Sequence, residues 1–270
     1  MKYKNFQVKN LDVKIYSFLN ENLNEKKQLI KEILSEISED KEIGFAGWKS
    51  KEGLRENLDF NLEDKRIPKL NINFEKIVNK IKNLLEKTHL YLNKRLWVYL
   101  FPTNSTFVKE ELNGVTGFCP WKNLIYIYVH PECNLNDLEK VIIHELAHSV
   151  SKYYKSLDMS IGEGLIFEGL AENFVEAIEG EEDKNLSQVI TEKKAKEIFF
   201  EIKKILKEKD FKHYSEVFYG TGKYPNWTGY SIGYYLIEQY IKQKFKDKKE
   251  INWRELLRNN PNKILSEINF

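Results

Sequence analysis

Apolar residues recur with a helical period at both ends of the chain and with a strand period in the middle. Ile and Leu fall at three- and four-residue spacings in NEKKQLIKEILSEISED (24 to 40) and NFEKIVNKIKNLLEKTHLYLN (73 to 93), which predicts two amphipathic helices. Between them, IGFAGWKSKEGLRENLDFNLEDKRIPKL mixes glycine, charge and one proline and reads as loop with room for a short helix. The first ninety or so residues therefore read as mainly helical. From Arg95 the period shortens: RLWVYLFP alternates up to Pro102, and NLIYIYV (123 to 129) is a β-branched and aromatic run that ends before Pro131. The intervening GVTGFCPWKN fits a short edge strand and a turn.

Beyond Pro131 the helical period returns. NLNDLEK offers Asn136 as N-cap with Glu139 three residues on, for a helix running to about Tyr154. Ser160 and Glu163 form the capping box of a second helix, LIFEGLAENFVEAI, which stops at Gly180. LSQVITEKKAKEIFFEIKKILKEK, GYSIGYYLIEQYIKQKF after PNWT, and short pieces around NWRELL and NKILSEI complete the helices. Helices, a small mixed sheet, then helices argue α+β rather than βαβ alternation. The expected organisation is an N-terminal mainly helical region, 1–93, and a second region, 94–270, the two together still within the size range of one compact domain.

Composition narrows the functional classes. With 270 residues, 41% hydrophobic and 31% charged, the chain can bury a sizeable core and is expected to be soluble. The net charge of +2 comes from 43 Lys+Arg against 41 Asp+Glu, and only five residues are Arg, so no nucleic-acid footprint stands out. The most basic run, IKQKFKDKKE, reads as a solvated helix end. The N-terminal stretch has no apolar h-region, and no apolar run approaches the roughly 18 residues of a membrane span, so a cytoplasmic protein without membrane contact is expected. Cys119 and Cys133 are too few for a disulfide framework and read as free thiols.

The stretch VIIHELAHSV (141 to 150) carries the chemistry. On a helix His144 and His148 project the same way, one turn apart, so one metal ion can take both imidazoles at roughly 2.0 to 2.1 Å. Zinc suits such nitrogen pairs. Glu145 lies about 100° round from His144, toward the open side where a bound water would sit, the position a general base needs. A catalytic zinc takes a third protein ligand, expected from a neighbouring helix. FEGLAENF places Glu168 and Glu172 on one face of an apolar helix, twenty and twenty-four residues after His148. Gly169 would let two backbones approach closely. Glu163 competes, but its capping role accounts for it. The favoured assignment is Glu168 as ligand and Glu172 orienting a ligand histidine through the other ring nitrogen.

HELAH followed by EGLAE resembles the gluzincin metallopeptidases, and the separation from HELAH to Glu168 is similar to that of the zinc aminopeptidases. GYSIGYYL (229 to 236) resembles their Tyr-x-x-Gly segment. The resemblance implies that the Tyr230 hydroxyl stabilises the oxyanion and that Gly233 is the packing glycine, with Tyr234 the nearest substitute for Tyr230. From about Trp97 to the end the chain resembles the YjaZ-like predicted zinc proteases: a Gly-containing strand before HExxH, then EGLAE, PNWTGYSIGY and ILSEINF. What this implies is a zincin-like fold, a bound Zn2+ and a peptide or protein substrate. The Gly-x-Met-Glu-Asn segment that grips a free α-amine in the aminopeptidases is replaced by GVTGFCPW, which favours an endopeptidase. SVSKYY after His148 excludes the metzincin pattern. The substrate is expected to lie extended beside the strand near Gly117 and Phe118. The alternative expectation is a non-catalytic zinc-bound binding or chaperone-like module derived from a peptidase.

Overall fold

The computed structural model describes residues 3–19, 23–37, 73–88, 95–121, 123–153, 158–180 and 188–270. The loop expected over 43–70 lies outside them. The chain divides into two compact units, Met1–Glu145 and Leu146–Phe270.

The first unit is a mixed sheet with helices. Strands β1 (Tyr3–Val8) and β2 (Leu11–Ser17) form a hairpin closed at Lys9, whose φ is 54°. Helices α1 (Leu23–Ile37) and α2 (Phe74–Thr88) follow, then β3 (Arg95–Pro102), the short α3 (Thr106–Glu111), β4 (Val115–Trp121) and β5 (Leu124–Val129). The sheet order is β1-β2-β3-β5-β4, with β2, β3 and β5 parallel and both edge strands antiparallel to their neighbours. The hairpin is where the helical reading of the N-terminal region fails. LDVKIYS alternates with period two, Val13 and Ile15 fully buried, and this pattern outranks the helical signal that begins at Leu23. The same sheet thus takes strands from both sides of position 93.

One face of the sheet is aromatic in register. Tyr3, Tyr16, Tyr99, Tyr126 and Phe118 occupy directly paired positions across all five strands, with ring centroids 5.2 to 6.5 Å apart. Leu29, Ile30, Ile33 and Leu34 of α1 belong to the core cluster built on that face. Because side chains alternate, Gly117 must point to the opposite face from Phe118.

Helix α4 (Leu135–Val150) begins two residues earlier than expected: Asn134, not Asn136, is the cap, its Oδ1 accepting the Asn136 N–H at 2.9 Å. It ends at Val150, where the Ser151 N–H turns back to the His148 carbonyl.

The second unit is helical. Helix α5 (Ile161–Glu179) has both arms of the Ser160/Glu163 capping box and stops at Gly180, φ 97°. Helices α6 (Glu192–Ile202), α7 (Phe211–Tyr219), α8 (Thr228–Lys244), α9 (Trp253–Leu256) and α10 (Pro261–Glu267) follow. Among the described residues no helix is long and apolar enough to cross a membrane.

Helices α5 and α8 meet backbone to backbone. A Cβ at Gly169 would stand 2.9 Å from the Gly233 Cα and closer still to its carbonyl; one at Gly233 would stand 3.0 Å from the Gly169 nitrogen. The close approach expected at Gly169 is therefore to α8. The buried Asn173 amide locks the crossing, donating to the carbonyls of Gly169 at 2.9 Å and Tyr234 at 3.0 Å. Gly233→Ala should force the helices apart and lower stability by about 1–3 kcal/mol, read as a reduced urea midpoint with little change in slope.

Candidate metal centre

Each half of the centre is positioned by packing that uses glycine or an aromatic ring. In the first unit Glu145 lies on α4 and is only 5% exposed. It is seated opposite Gly117 of the edge strand β4: a Cβ there would stand 2.7 Å from Glu145 Oε1, 2.8 Å from Val141 Cγ1 and closer still to Glu145 Cγ. Any larger residue at 117 would occupy the carboxylate's place. The sequence offers Gly117 only as part of a strand expected to lie beside substrate; its role as the seat of Glu145 has no local sequence signal.

In the second unit the His148 imidazole, 6% exposed, stacks on Phe167 with centroids 3.9 Å apart and planes 6° from parallel. The next residue on α5 is Glu168, and His148 Nε2 to Glu168 Oε2 is 3.3 Å. That separation matches the edge of a tetrahedron whose two arms are roughly 2.0–2.1 Å long, the lengths at which zinc holds nitrogen and carboxylate oxygen. His144, His148 and Glu168 together offer one ligand atom each, all within 4.8 Å of one another, so the group could hold a metal ion. Two imidazoles and a carboxylate are a donor set that fits zinc.

The other carboxylates separate by role. Glu163 is committed to structure: Oε2 accepts the Ser160 N–H and Oε1 the Asn262 side-chain amide, each at 3.0 Å. Glu172, one turn beyond Glu168 on the same face of α5, is buried.

The tyrosines are distributed differently from one another. Tyr230 is half-buried near the start of α8, its ring edge-on to Phe218 at 5.9 Å and to Trp227 at 5.4 Å. Tyr234 is buried, and its hydroxyl donates to Glu176, which also pairs with Lys248 at 2.7 Å. Burial, and then the bond to that carboxylate, holds the Tyr234 phenol far above its ordinary pKa. Its oxygen is thereby committed away from Glu168. A third tyrosine, Tyr219, was not singled out by the sequence, because α7 itself carries only a short helical pattern. Burial of its surroundings, and then the charge of Glu168, raise the Tyr219 pKa, which places the phenol within electrostatic reach of the proposed ligand.

Comparison with known proteins adds a family. Over 147 residues the chain is 28% identical to a Bacillus subtilis (strain 168) protein described as uncharacterized protein YjfC, covering 48% of this chain and 48% of that one. It thus spans about half the length of the curated relative it matches. No solved structure matches. A family model described as predicted Zn-dependent protease (DUF2268) matches residues 73–265, a span that contains His144, Glu145, His148 and Glu168 and most of the chain, and the chain belongs to that family.

Proposed function

We propose that the protein is a zinc-dependent peptidase, an endopeptidase of gluzincin type on a zincin-like fold, with His144, His148 and Glu168 as metal ligands. The observation that carries the reading is the buried Glu145 seated against Gly117: a carboxylate beside the ligand group and outside it, in a place that only a glycine leaves open. Zinc bound by these three residues would lower the pKa of a coordinated water to about 7 and polarise the substrate carbonyl. Glu145 takes the proton of the attacking water and delivers it to the departing amine nitrogen. Glu172 orients a ligand histidine, and the Tyr230 hydroxyl donates to the carbonyl oxygen as it gains charge. An extended peptide adds to the edge strand β4, whose antiparallel pairing to β5 leaves its outer hydrogen-bonding groups toward the substrate.

Three variants test this with a peptide-library cleavage assay and elemental analysis. Glu145→Gln should retain zinc and lose about 10² to 10⁴-fold in turnover, because a base is lost and no ligand is. Normal turnover would remove Glu145 from the mechanism. His148→Ala should lose zinc together with the rise in melting temperature that added zinc gives the wild type. A metal-replete variant that still responds to zinc would contradict the ligand set. Gly117→Ala should bind zinc normally yet lose on the order of 10²-fold in kcat, since the new methyl displaces the Glu145 side chain by an ångström or so. Full activity in that variant would mean that the seat is not needed.

A further inference from the structure

Helix α7 and the turn after it bring a group of aromatic rings to the side of α5 that carries Glu168. A Cβ at Gly164 would stand 3.0 Å from Tyr214 Cε2 and 3.1 Å from Phe218 Cζ, so α7 lies directly on α5 at Gly164. Glu168 is one turn further along the same stripe. Tyr219, the residue after Phe218, ends α7 there. Burial, and then the charge of Glu168, raise the Tyr219 pKa, in keeping with that placement.

The rings form a herringbone. Tyr214 meets Tyr219 at 6.1 Å and 61°, Tyr219 meets Trp227 at 6.4 Å and 90°, and Trp227 meets Tyr230 at 5.4 Å and 73°. Beneath them Phe218 is fully buried, whereas Tyr219 remains 44% exposed. The backbone is bent to achieve this. Trp227 has φ 63°, a left-handed conformation that is a real outlier for a bulky aromatic residue, and it opens α8 without a side-chain cap. The turn from Gly220 (φ 62°) folds back so tightly that a Cβ on that glycine would stand 2.6 Å from the Asn226 nitrogen. The Trp227 N–H then donates to the Phe218 carbonyl at 3.1 Å. Strain of this kind persists where the surroundings impose it and collects at functional positions. Here it holds an indole against a ring that is still open to solvent.

We propose that Tyr219 and Trp227 form the wall of a specificity subsite beside Glu168, which takes an aromatic or large aliphatic side chain of the substrate next to the bond that is cut. The proposal rests on the peptidase reading. An apolar side chain leaves water by packing edge-on or face-on against the two rings, which discriminates against small and charged side chains by burial alone. Its worth is set by how much of a Phe or Leu side chain the wall covers. Partial cover corresponds to about a tenfold preference over Ala.

Two readouts test it. In a position-scanning peptide library, the wild-type protein should prefer Phe, Tyr, Leu or Met over Ala, Gly and Asp by about tenfold or more at one position flanking the cleaved bond. Tyr219→Ala, and Trp227→Gly, which removes the indole while suiting the left-handed backbone, should bring the Phe-to-Ala ratio of kcat/KM toward one, mainly through KM. Tyr219→Phe should keep the ratio, since the ring and not the hydroxyl forms the wall. Separately, calorimetric titration of metal-free Glu145→Gln protein with a Phe-containing peptide and its Ala counterpart should show tighter binding of the former, lost when Tyr219→Ala is added. A cleavage profile without apolar preference, or one unchanged in both ring-removing variants, overturns the proposal while leaving the peptidase standing. Selective binding of the Phe peptide without any cleavage by the wild type would sink the peptidase reading and keep the aromatic wall. Absence of both overturns both.

Discussion

The separation of 3.3 Å between His148 Nε2 and Glu168 Oε2 is the contact on which the candidate centre depends, and several kinds of packing hold it. A carboxylate and an imidazole on two largely apolar helices are costly to desolvate unless they share a partner. The imidazole plane is set by Phe167, one residue before Glu168, so a single turn of α5 both orients the histidine and supplies the oxygen. That turn in turn is pinned by the α8 backbone one residue later, at Gly169, and by the Asn173 amide bridging the two helices. The motif EGLAEN is therefore one unit: candidate ligand, crossing glycine, second carboxylate and crossing amide follow in order because a helix presents them at its own spacing.

This explains why so much of the centre was legible in the sequence. HELAH and EGLAE are local patterns, and the helical period converts residue spacing directly into shared direction. The capping box at Ser160 and the stop at Gly180 are readable for the same reason, and β3, β4 and β5 are readable from the alternation of RLWVYLFP, the β-branched and aromatic run NLIYIYV and the short edge-strand segment between them. What failed was decided by competition between neighbouring signals. The β1–β2 hairpin is overshadowed in the sequence by the helical pattern that follows it, although Val13 and Ile15 alternate cleanly with Asp12 and Lys14. Helix α7 has only nine residues, too few turns to show a period. The α4 cap moved from Asn136 to Asn134 because both side chains can cap and the sequence does not rank them.

Long-range steric constraints were invisible for a different reason. Gly117 and Glu145 are twenty-eight residues apart, and Gly169 and Gly233 sixty-four; a glycine in a sequence does not announce which neighbour needs its missing Cβ. Gly169 was expected to allow a close helix approach, and it does, but the partner is α8 rather than α4. Tyr219 and Trp227 belong to the same class. Their association depends on a left-handed residue at 227, a conformation that no propensity assigns to tryptophan.

Metal binding alone would need little of this. A structural zinc normally closes its shell with four protein ligands, and the residues around such a site can be chosen for packing. Glu145 is the residue for which that account has no use. It is a carboxylate buried to 5% exposure and given room by a glycine on an edge strand, a combination that sacrifices β-propensity at 117 and incurs desolvation at 145. A module kept only for binding would relieve both costs with a neutral side chain at 145 and a β-branched residue at 117. On the proposed peptidase reading the two unfavourable choices belong together, because the carboxylate then has to sit where a proton is moved.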